Sequence, residues 1–222
     1  PSFCGRHERR SMTGTKQGRF ITLEGGEGVG KSTQIKALAD QLRQRGLTVV
    51  ETREPGGSPG AEAIRDLLLH SAGDAWGSRA EALLFAAARS DHVERVIRPA
   101  VAAGHWVLCD RYIDSTRAYQ GGGSGLSDGE IMALHQVGSQ GLLPDRTLLL
   151  RLEPGVSDAR RASRALDRPD RFEDRQASFH ARGVAAFDAL GEAEPQRIRR
   201  IDADGSPERV TERLLAALAD LL

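Results

Sequence analysis

Residues 25–33, Gly-Gly-Glu-Gly-Val-Gly-Lys-Ser-Thr, have the spacing of a phosphate-binding P-loop, in which four residues separate a glycine from Gly-Lys-Ser. The apolar run 20–23 precedes them, and an amphipathic segment begins at Gln34. Glycines let the backbone turn tightly and bring its N–H groups close to an anion. The following helix directs the positive end of its dipole to the same place. A merely flexible turn would not require Lys-Ser-Thr, so the stretch predicts a strand, a phosphate-binding loop and a helix.

Three side chains carry the expected phosphate chemistry. Lys31 can reach a transferred phosphate, and the hydroxyl of Ser32 can bind Mg²⁺. Asp110 ends the apolar run 105–109, where a magnesium-organising carboxylate is expected downstream of a P-loop, although an ordinary strand-end turn would have the same pattern. We predict that the nucleotide is bound by the following residues: Gly25, Gly26, Glu27, Gly28, Val29, Gly30, Lys31, Ser32 and Thr33.

Length and composition narrow the class of protein. A chain of 222 residues can form one domain, or one domain with a lid, around a substantial core. Its 31 basic and 31 acidic residues balance, so no overall charge attracts it to nucleic acid or to a membrane surface. No apolar run approaches the ~18 residues of a membrane helix, and Cys4 and Cys109 lack the spacing of a metal or disulfide framework. We expect a cytoplasmic protein with no nucleic-acid and no membrane partner.

Apolar and amphipathic segments alternate along the chain. Strands are predicted at about 19–24, 47–52, 105–109, 147–152 and 198–201, and helices at about 31–45, 61–70, 78–103, 127–137, 173–190 and from Pro207 onward. The helix over 78–103 should be broken or bent near Pro99, and Leu67 and Leu83 are expected in the core. The alternation predicts an α/β protein with a three-layer P-loop NTPase fold, in which helices flank a five-stranded, mainly parallel sheet.

Two segments do not fit this alternation. Residues 1–18 are polar, basic and unpatterned, which indicates a disordered tail or a remnant of protein expression, so that 19–222 form a single domain. The segment at about 157–175 is rich in arginine interleaved with acidic residues. It is either a solvated, self-paired helix face or a small Arg-rich lid that closes over polyphosphate. Its spacing does not decide between the two.

Two further groups of residues have the composition of a binding site. Phe85 and Arg89 lie four residues apart and therefore on one face of a helix. Composition alone would instead make Phe85 a core residue and Arg89 a surface charge. Residues 115–120, Ser-Thr-Arg-Ala-Tyr-Gln, bring hydroxyls, an aromatic ring and an amide together before three glycines, which is unusual for a plain loop.

Together these motifs resemble those of the bacterial thymidylate kinases, a family of P-loop nucleoside monophosphate kinases. The similarity runs from about residue 19 to the C-terminus. Besides the P-loop and the Phe85–Arg89 pair, it rests on 52–57 (Thr-Arg-Glu-Pro-Gly-Gly), on the block 110–121 and on 170–173 (Asp-Arg-Phe-Glu). The P-loop has no basic residue at 26–29, so the chain is similar to the members whose lid supplies the arginines.

The resemblance implies a reaction, a metal and an assembly. The expected enzyme transfers a phosphoryl group from ATP to dTMP with the help of Mg²⁺, gives dTDP and ADP, and forms a homodimer. Ser32 and Asp110 are expected to bind the metal, and Arg160 the adenine side of ATP. The resemblance also implies the following catalytic residues: Lys31, Asp110, Arg111, Arg164 and Arg168.

The resemblance further implies an acceptor site. Glu27 should contact the 3′-hydroxyl of the sugar, and an aromatic ring should crowd its 2′ position and so favour deoxyribose. Arginines should lie near the acceptor phosphate, and Phe85 should stack on thymine while Arg89 bonds to it. The substrate-binding residues implied in this way are Glu27, Arg53, Phe85, Arg89, Arg111, Ser115, Thr116, Tyr119 and Gln120.

Two other functions share the P-loop. One is a related kinase with another acceptor, such as a different nucleoside monophosphate or a deoxynucleoside, but Phe85, Arg89 and Tyr119 favour a thymine deoxynucleotide. The other is a non-enzymatic nucleotide switch, but the sequence contains no Asn-Lys-x-Asp motif for reading guanine. We therefore expect an ATP-dependent dTMP kinase.

Overall fold

The computed structural model describes residues 17–71, 75–153 and 175–222. Almost all of the predicted tail and of the predicted lid lie outside the described residues. The same is true of three arginines for which the resemblance implies a role: Arg160, Arg164 and Arg168. The division into a tail at 1–18 and a single domain with a lid therefore stays a prediction.

Five strands form one sheet: β1 (Arg19–Glu24), β2 (Val49–Arg53), β3 (Trp106–Asp110), β4 (Arg146–Arg151) and β5 (Ile198–Asp202). Their order across the sheet is β2-β3-β1-β4-β5, and every neighbouring pair is parallel. β1 is therefore central, with β3 on one side and β4 on the other. Because parallel strands end at the same edge, the loops after β1, β2 and β3 meet there, where ligands bind in open α/β sheets.

Helices connect the strands: α1 (Lys31–Gln44), α2 (Pro59–His70), α3 (Ser78–His92), α4 (Arg98–Ala102), α5 (Ile113–Thr116), α6 (Asp128–Ser139), α7 (Ala177–Ala193) and α8 (Pro207–Ala216). Ser127 and Glu130 form a capping box at the start of α6. The predicted helix over 78–103 consists of α3 and α4, joined by a π-helical turn, Val93–Ile97. That turn comes just before Pro99, whose missing N–H interrupts the α-helical ladder. A second π-helical segment, Arg117–Gly123, follows α5.

Both faces of the sheet are covered by helices. On one face, Ile21 and Leu23 pack with Leu38 of α1, and on the other, Phe20 packs with Ile131 of α6. The split follows from the geometry of β1, because successive side chains of a strand point to opposite faces. Helix, sheet and helix thus form three layers. The predicted α/β fold with a five-stranded parallel sheet is confirmed.

Two residues predicted to lie in the core are exposed. Leu67 in α2 and Leu83 in α3 are 49% and 56% exposed, so their assignment to the core is wrong. α3 turns another face inward, on which Ala82, Arg89 and His92 are buried, because that face borders the site described below. Among the described residues, no helix combines the length and the hydrophobicity needed to cross a membrane.

Candidate active site

The P-loop lies between β1 and α1, and its shape depends on glycine. Gly25, Gly28 and Gly30 have φ angles of 138°, 74° and 95°, in a region that residues with a β-carbon rarely occupy. A β-carbon on Gly25 would also come within 2.4 Å of a main-chain oxygen of β4. The Nζ atom of Lys31 donates to the carbonyl oxygens of Gly25 at 3.2 Å and Gly26 at 2.8 Å. The loop therefore folds around its own lysine.

A partly buried ion pair lies beside the P-loop. Arg111 directly follows β3 and has a left-handed φ of 68°. Its Nη2 donates to Glu27, and its Nη1 donates to the carbonyl oxygen of Gly25 at 3.2 Å and to Oγ of Ser115 at 3.0 Å. The guanidinium of Arg111 lowers the pKa of Glu27 to about 2. Burial lowers the pKa of Lys31, and the nearby charge of Arg111 adds to that effect. The arrangement concentrates positive charge where phosphates would bind.

Ser32 and Asp110 meet at the entrance of α1. The hydroxyl of Ser32 donates to Oδ2 of Asp110 at 3.2 Å, and Asp110 reaches this place because it pairs with Leu23 in the β1–β3 register. Its other oxygen, Oδ1, is buried and has no hydrogen-bond partner in the part of the chain that the structure describes. No cluster of three or more His, Cys, Asp or Glu side chains suits a metal among those residues. One carboxylate and one hydroxyl are nevertheless what Mg²⁺ needs beside water and phosphate ligands.

A cavity of about 300 Å³ opens next to the P-loop. Most of the predicted site residues line it: Glu27, Gly28, Gly30, Lys31, Ser32, Arg53, Phe85, Arg89, Asp110, Arg111, Ser115, Thr116, Tyr119 and Gln120. Four predicted nucleotide-binding residues do not line it: Gly25, Gly26, Val29 and Thr33. Val29 packs into the core, and Thr33 points outward from the first turn of α1. Their contact with a nucleotide stays a prediction.

Arg89 is buried in the wall of this cavity and is not a surface charge. Only 2% of the residue is exposed. Its Nε donates to Oε2 of Glu54 at 2.8 Å, and its Nη2 donates to Oγ1 of Thr116 at 2.9 Å. The guanidinium carbon lies 5.1 Å from the ring centroid of Tyr112. Phe85, one turn earlier on α3, is half-buried and lines the same cavity.

The π-helical segment Arg117–Gly123 supplies another part of the wall. Tyr119 stacks on Phe179 of α7, with ring centroids 5.7 Å apart and an interplanar angle of 22°. A β-carbon on Gly183 would come 2.8 Å from the ring of Tyr119, so the glycine makes room for the tyrosine. Nε2 of Gln120 donates to Glu81 at 3.4 Å. The two side chains are therefore fixed by α7 and α3.

Sequence reasoning gave no role in the site to several residues of this region. Glu54 belongs to a motif that the resemblance used, but it received no role, and neither did Phe179 and His180, which line the cavity. His92 follows Arg89 by three residues, a spacing that puts both on one helix face and could have drawn attention to it. Glu24 ends an apolar strand, and no local pattern distinguishes it.

Glu24 is buried under the loop that follows β3. Its Oε1 accepts bonds from the main-chain N–H groups of Tyr112 at 2.8 Å and Ser115 at 3.2 Å, and its Oε2 accepts the hydroxyl of Ser115 at 2.6 Å. Burial raises the pKa of Glu24 to about 7, and the charge of Asp114 adds to the rise. Ser115, which donates to Glu24, also accepts from Arg111. The carboxyl of Glu24 therefore helps to hold the serine that positions the guanidinium of Arg111.

The fold and the site define a class of protein. A P-loop after the central strand, with a serine and a carboxylate beside it, is the arrangement of an enzyme that handles nucleotide phosphates. An adjoining cavity with an aromatic ring and a buried arginine provides room for a second, smaller molecule. The class is therefore a P-loop kinase with a separate acceptor site.

Comparisons with known proteins identify the family within this class. The sequence model described as Thymidylate kinase matches residues 23–214. The thymidylate kinase of Rhizorhabdus wittichii is 63% identical over 92% of this chain and 99% of its own, and that of Bradyrhizobium diazoefficiens is 51% identical over 93% and 91%. The crystal structure of thymidylate kinase from Ehrlichia chaffeensis is 29% identical and matches with a TM-score of 0.72, over 90% of this chain and 98% of that one. The chain belongs to the thymidylate kinase family.

Membership in this family confirms the resemblance read from the sequence and the expectation of an ATP-dependent kinase. It favours that expectation over the nucleotide switch. The roles of individual site residues stay predictions.

The buried carboxyl of Glu24 should make stability depend on pH. Its pKa is raised from 4.5 to about 7 on folding, so its favourable contribution is complete below the unfolded pKa and is lost as pH rises through 7. Relative to the Glu24→Gln variant, the wild-type free energy of unfolding should fall by an amount on the order of 3 kcal/mol between about pH 5 and pH 8. Urea titrations across this range measure the difference.

An exposed carboxylate provides the control for this measurement. Glu94 lies on the surface of the π-helical turn, and a Glu94→Gln variant should follow the wild-type curve. Parallel pH curves for wild type and Glu24→Gln would contradict the raised pKa of Glu24.

Proposed function

We propose that this chain transfers the γ-phosphoryl group of ATP to dTMP and that the cavity beside the P-loop holds dTMP. The observation that carries the proposal is that Lys31 of the P-loop, Phe85 and Arg89 line one and the same cavity. A phosphate-binding loop and a site suited to a nucleobase are thereby brought within the reach of one nucleotide.

The base is recognised by stacking and by hydrogen bonding. The ring of Phe85 stacks on the base, which contributes ~1–3 kcal/mol but discriminates little among bases. Arg89 presents only donors, and thymine offers an acceptor at O4 where cytosine has an amino donor. Arg89 can therefore donate a hydrogen bond to O4 of thymine. With cytosine, an N–H of Arg89 would face an N–H of the amino group. Thr116 and Gln120 flank the base.

The sugar and the phosphates are recognised by charge and shape. Glu27, ionised beside Arg111, accepts the 3′-hydroxyl of the sugar, and Tyr119, held by Phe179, crowds the 2′ position. Arg53 and Arg111 offset the charge of the acceptor phosphate, and Lys31 holds the phosphates of the donor. Phosphoryl transfer needs little covalent chemistry from the protein, so alignment and positive charge supply most of the rate.

Mg²⁺ fits the pair formed by Ser32 and Asp110. The support is the buried Oδ1 of Asp110, which lacks a hydrogen-bond partner in the described ranges, next to a hydroxyl that can turn toward a cation. When bound there, the ion would neutralise part of the charge on the donor phosphates. Arg164 and Arg168 are proposed to act on the transferred phosphoryl group and Arg160 on the adenine side, although all three lie outside the described residues.

We also propose a homodimer through α3 and α6. The two helices are so close that a β-carbon on Gly138 would come 3.2 Å from the carbonyl oxygen of Ala86. On them, Leu83 and Val137 are 56% and 86% exposed, and exposed apolar side chains on neighbouring elements are typical of a protein interface. The cytoplasm is the proposed location, in keeping with the buried thiol of Cys109.

The acceptor preference tests the proposed reaction. Release of ADP from ATP and Mg²⁺ should be strong with dTMP, weaker with dUMP, and weakest with UMP and dCMP, because Tyr119 disfavours a 2′-hydroxyl and Arg89 disfavours cytosine. A coupled ADP assay ranks the four acceptors by kcat/KM. Activity confined to another acceptor would agree with a kinase but would contradict the proposal that the cavity holds dTMP.

Removal of the stacking ring should affect one substrate only. Phe85→Ala should raise the KM for dTMP roughly tenfold or more, as expected for a lost base–aromatic stack, and leave the KM for ATP nearly unchanged. Phe85→Leu, which keeps most of the apolar volume, should recover little of the loss. An equal increase in both KM values would mean that Phe85 is a core residue.

A charge on the proposed interface should separate the protomers. Val137→Glu places a carboxylate at an apolar contact and should convert the dimer to monomer, as measured by light scattering after gel filtration. Leu222→Glu alters another exposed apolar residue, 49% exposed at the C-terminus, and should leave the dimer intact. A monomeric wild-type protein would contradict the proposal.

A further inference from the structure

His92 is buried at the end of α3 and is bonded on both sides. None of the residue is exposed. Its Nε2 lies 2.7 Å from Oγ1 of Thr52, and its Nδ1 lies 3.0 Å from Oε1 of Glu54. An ionised carboxylate can only accept, so Nδ1 carries the proton that it shares with Glu54. His92 therefore ties the end of β2, and the loop after it, to α3.

The carboxylate of Glu54 connects this histidine to Arg89. While Oε1 faces His92, Oε2 accepts the Nε–H of Arg89 at 2.8 Å, and Arg89 in turn donates to Thr116 at 2.9 Å. We call Thr52, His92, Glu54, Arg89 and Thr116 the His92 network. His92 is not among the residues that line the cavity, whereas Arg89 is. The histidine can influence a ligand there only through its neighbours.

We infer that His92 is a positioning residue that determines the preference for thymine over cytosine. It fixes the carboxylate of Glu54, which fixes the guanidinium of Arg89 in the orientation that meets thymine O4. The inference rests on the proposed placement of the base against Arg89. It adds a determinant of selectivity that does not touch the substrate.

The physical reason lies in the freedom of the two side chains. The last torsion of a glutamate is broad and has no strong preference of its own, and an arginine side chain has several rotatable bonds. Without a donor at Oε1, the carboxylate of Glu54 is held, among the described residues, by Arg89 alone, so the direction of their charge-assisted bond is less restricted. Selectivity by hydrogen bonding requires the guanidinium to be placed to within about 0.5 Å. A less restricted guanidinium therefore binds thymine less strongly and disfavours cytosine less.

A role limited to packing would predict something different. His135 is a second histidine with almost no exposure. Its Nε2 lies 2.9 Å from the carbonyl oxygen of Leu142, outside the cavity. Substitution of His135 should therefore lower stability without changing acceptor preference. If His92 only fills space, its substitution should act in the same way.

Two substitutions at His92 separate bonding from packing. The amide nitrogen of asparagine occupies nearly the place of Nδ1, so His92→Asn keeps a donor for Glu54. The amide of glutamine reaches the place of Nε2, so His92→Gln keeps a partner for Thr52 and loses the donor to Glu54. Both variants lose the same ring from the same buried position, which makes each the control for the other.

The readout is the ratio of kcat/KM for dTMP to kcat/KM for dCMP. His92→Gln should lower this ratio roughly tenfold or more, the size expected for a lost bond to a charged group, through a higher KM for dTMP and an unchanged KM for ATP. His92→Asn should stay within roughly threefold of wild type, and His135→Gln should not change the ratio. In an Arg89→Lys background, the two His92 variants should have equal ratios, because the effect passes through Arg89.

Equal ratios for His92→Asn and His92→Gln in the wild-type background would overturn the inference. If neither variant folds, substitutions at Thr52 provide the test, because the hydroxyl of Thr52 is bonded to the other nitrogen of the His92 ring. Thr52→Val should then lower the ratio at least roughly threefold while Thr52→Ser preserves it, and equal values would overturn the inference. A wild-type enzyme without preference for dTMP over dCMP would instead contradict the proposed function.

Discussion

The parallel pairing of β1 with β3 is the constraint on which the site depends. Its register places Leu23 opposite Asp110, so the residues that follow the two strands emerge side by side. The P-loop follows one strand, and Asp110 and Arg111 end or follow the other. The main-chain N–H of Arg111 then donates to the carbonyl oxygen of Leu23 at 3.0 Å, which continues the pairing beyond β3. A shift of the register would separate Ser32 from Asp110 and Glu27 from Arg111.

Charges in the cavity wall are held in pairs. Arg111 is bonded to Glu27 and Arg89 to Glu54, and each cation also has a neutral partner in a serine or a threonine. Removing a charge from water is costly unless it is paired and hydrogen-bonded, so the acidic partners make it possible to bury cations beside the P-loop. The same pairs orient the guanidinium groups. A binding site that keeps its donors in place before the ligand arrives spends less of the binding energy on ordering them.

The sequence predicted what is encoded locally and missed what depends on distant contacts. The P-loop, the five strands and the Phe85–Arg89 pair follow from spacing and periodicity within short windows. Leu67 and Leu83 were misplaced because periodicity marks an apolar face but does not say what covers it. The role of His92 depends on Glu54, 38 residues away, and the raised pKa of Glu24 depends on burial by the whole fold. Neither the contact between His92 and Glu54 nor the burial of Glu24 leaves a local signal in the sequence.

The two ends of the site are built by different kinds of structural element. The phosphate end comes from the loops after β1 and β3, where glycine conformations and strand register leave little freedom. The walls that we propose face the base and sugar of dTMP come from α3, from the π-helical segment Arg117–Gly123 and from α7, which pack through side chains. A β-carbon on Gly122 would lie 2.5 Å from the β-carbon of Ala186, so segment and helix are in direct contact, and Tyr119 is placed by that contact. Acceptor choice can therefore vary with helix packing while the chemistry of phosphoryl transfer remains fixed by the sheet.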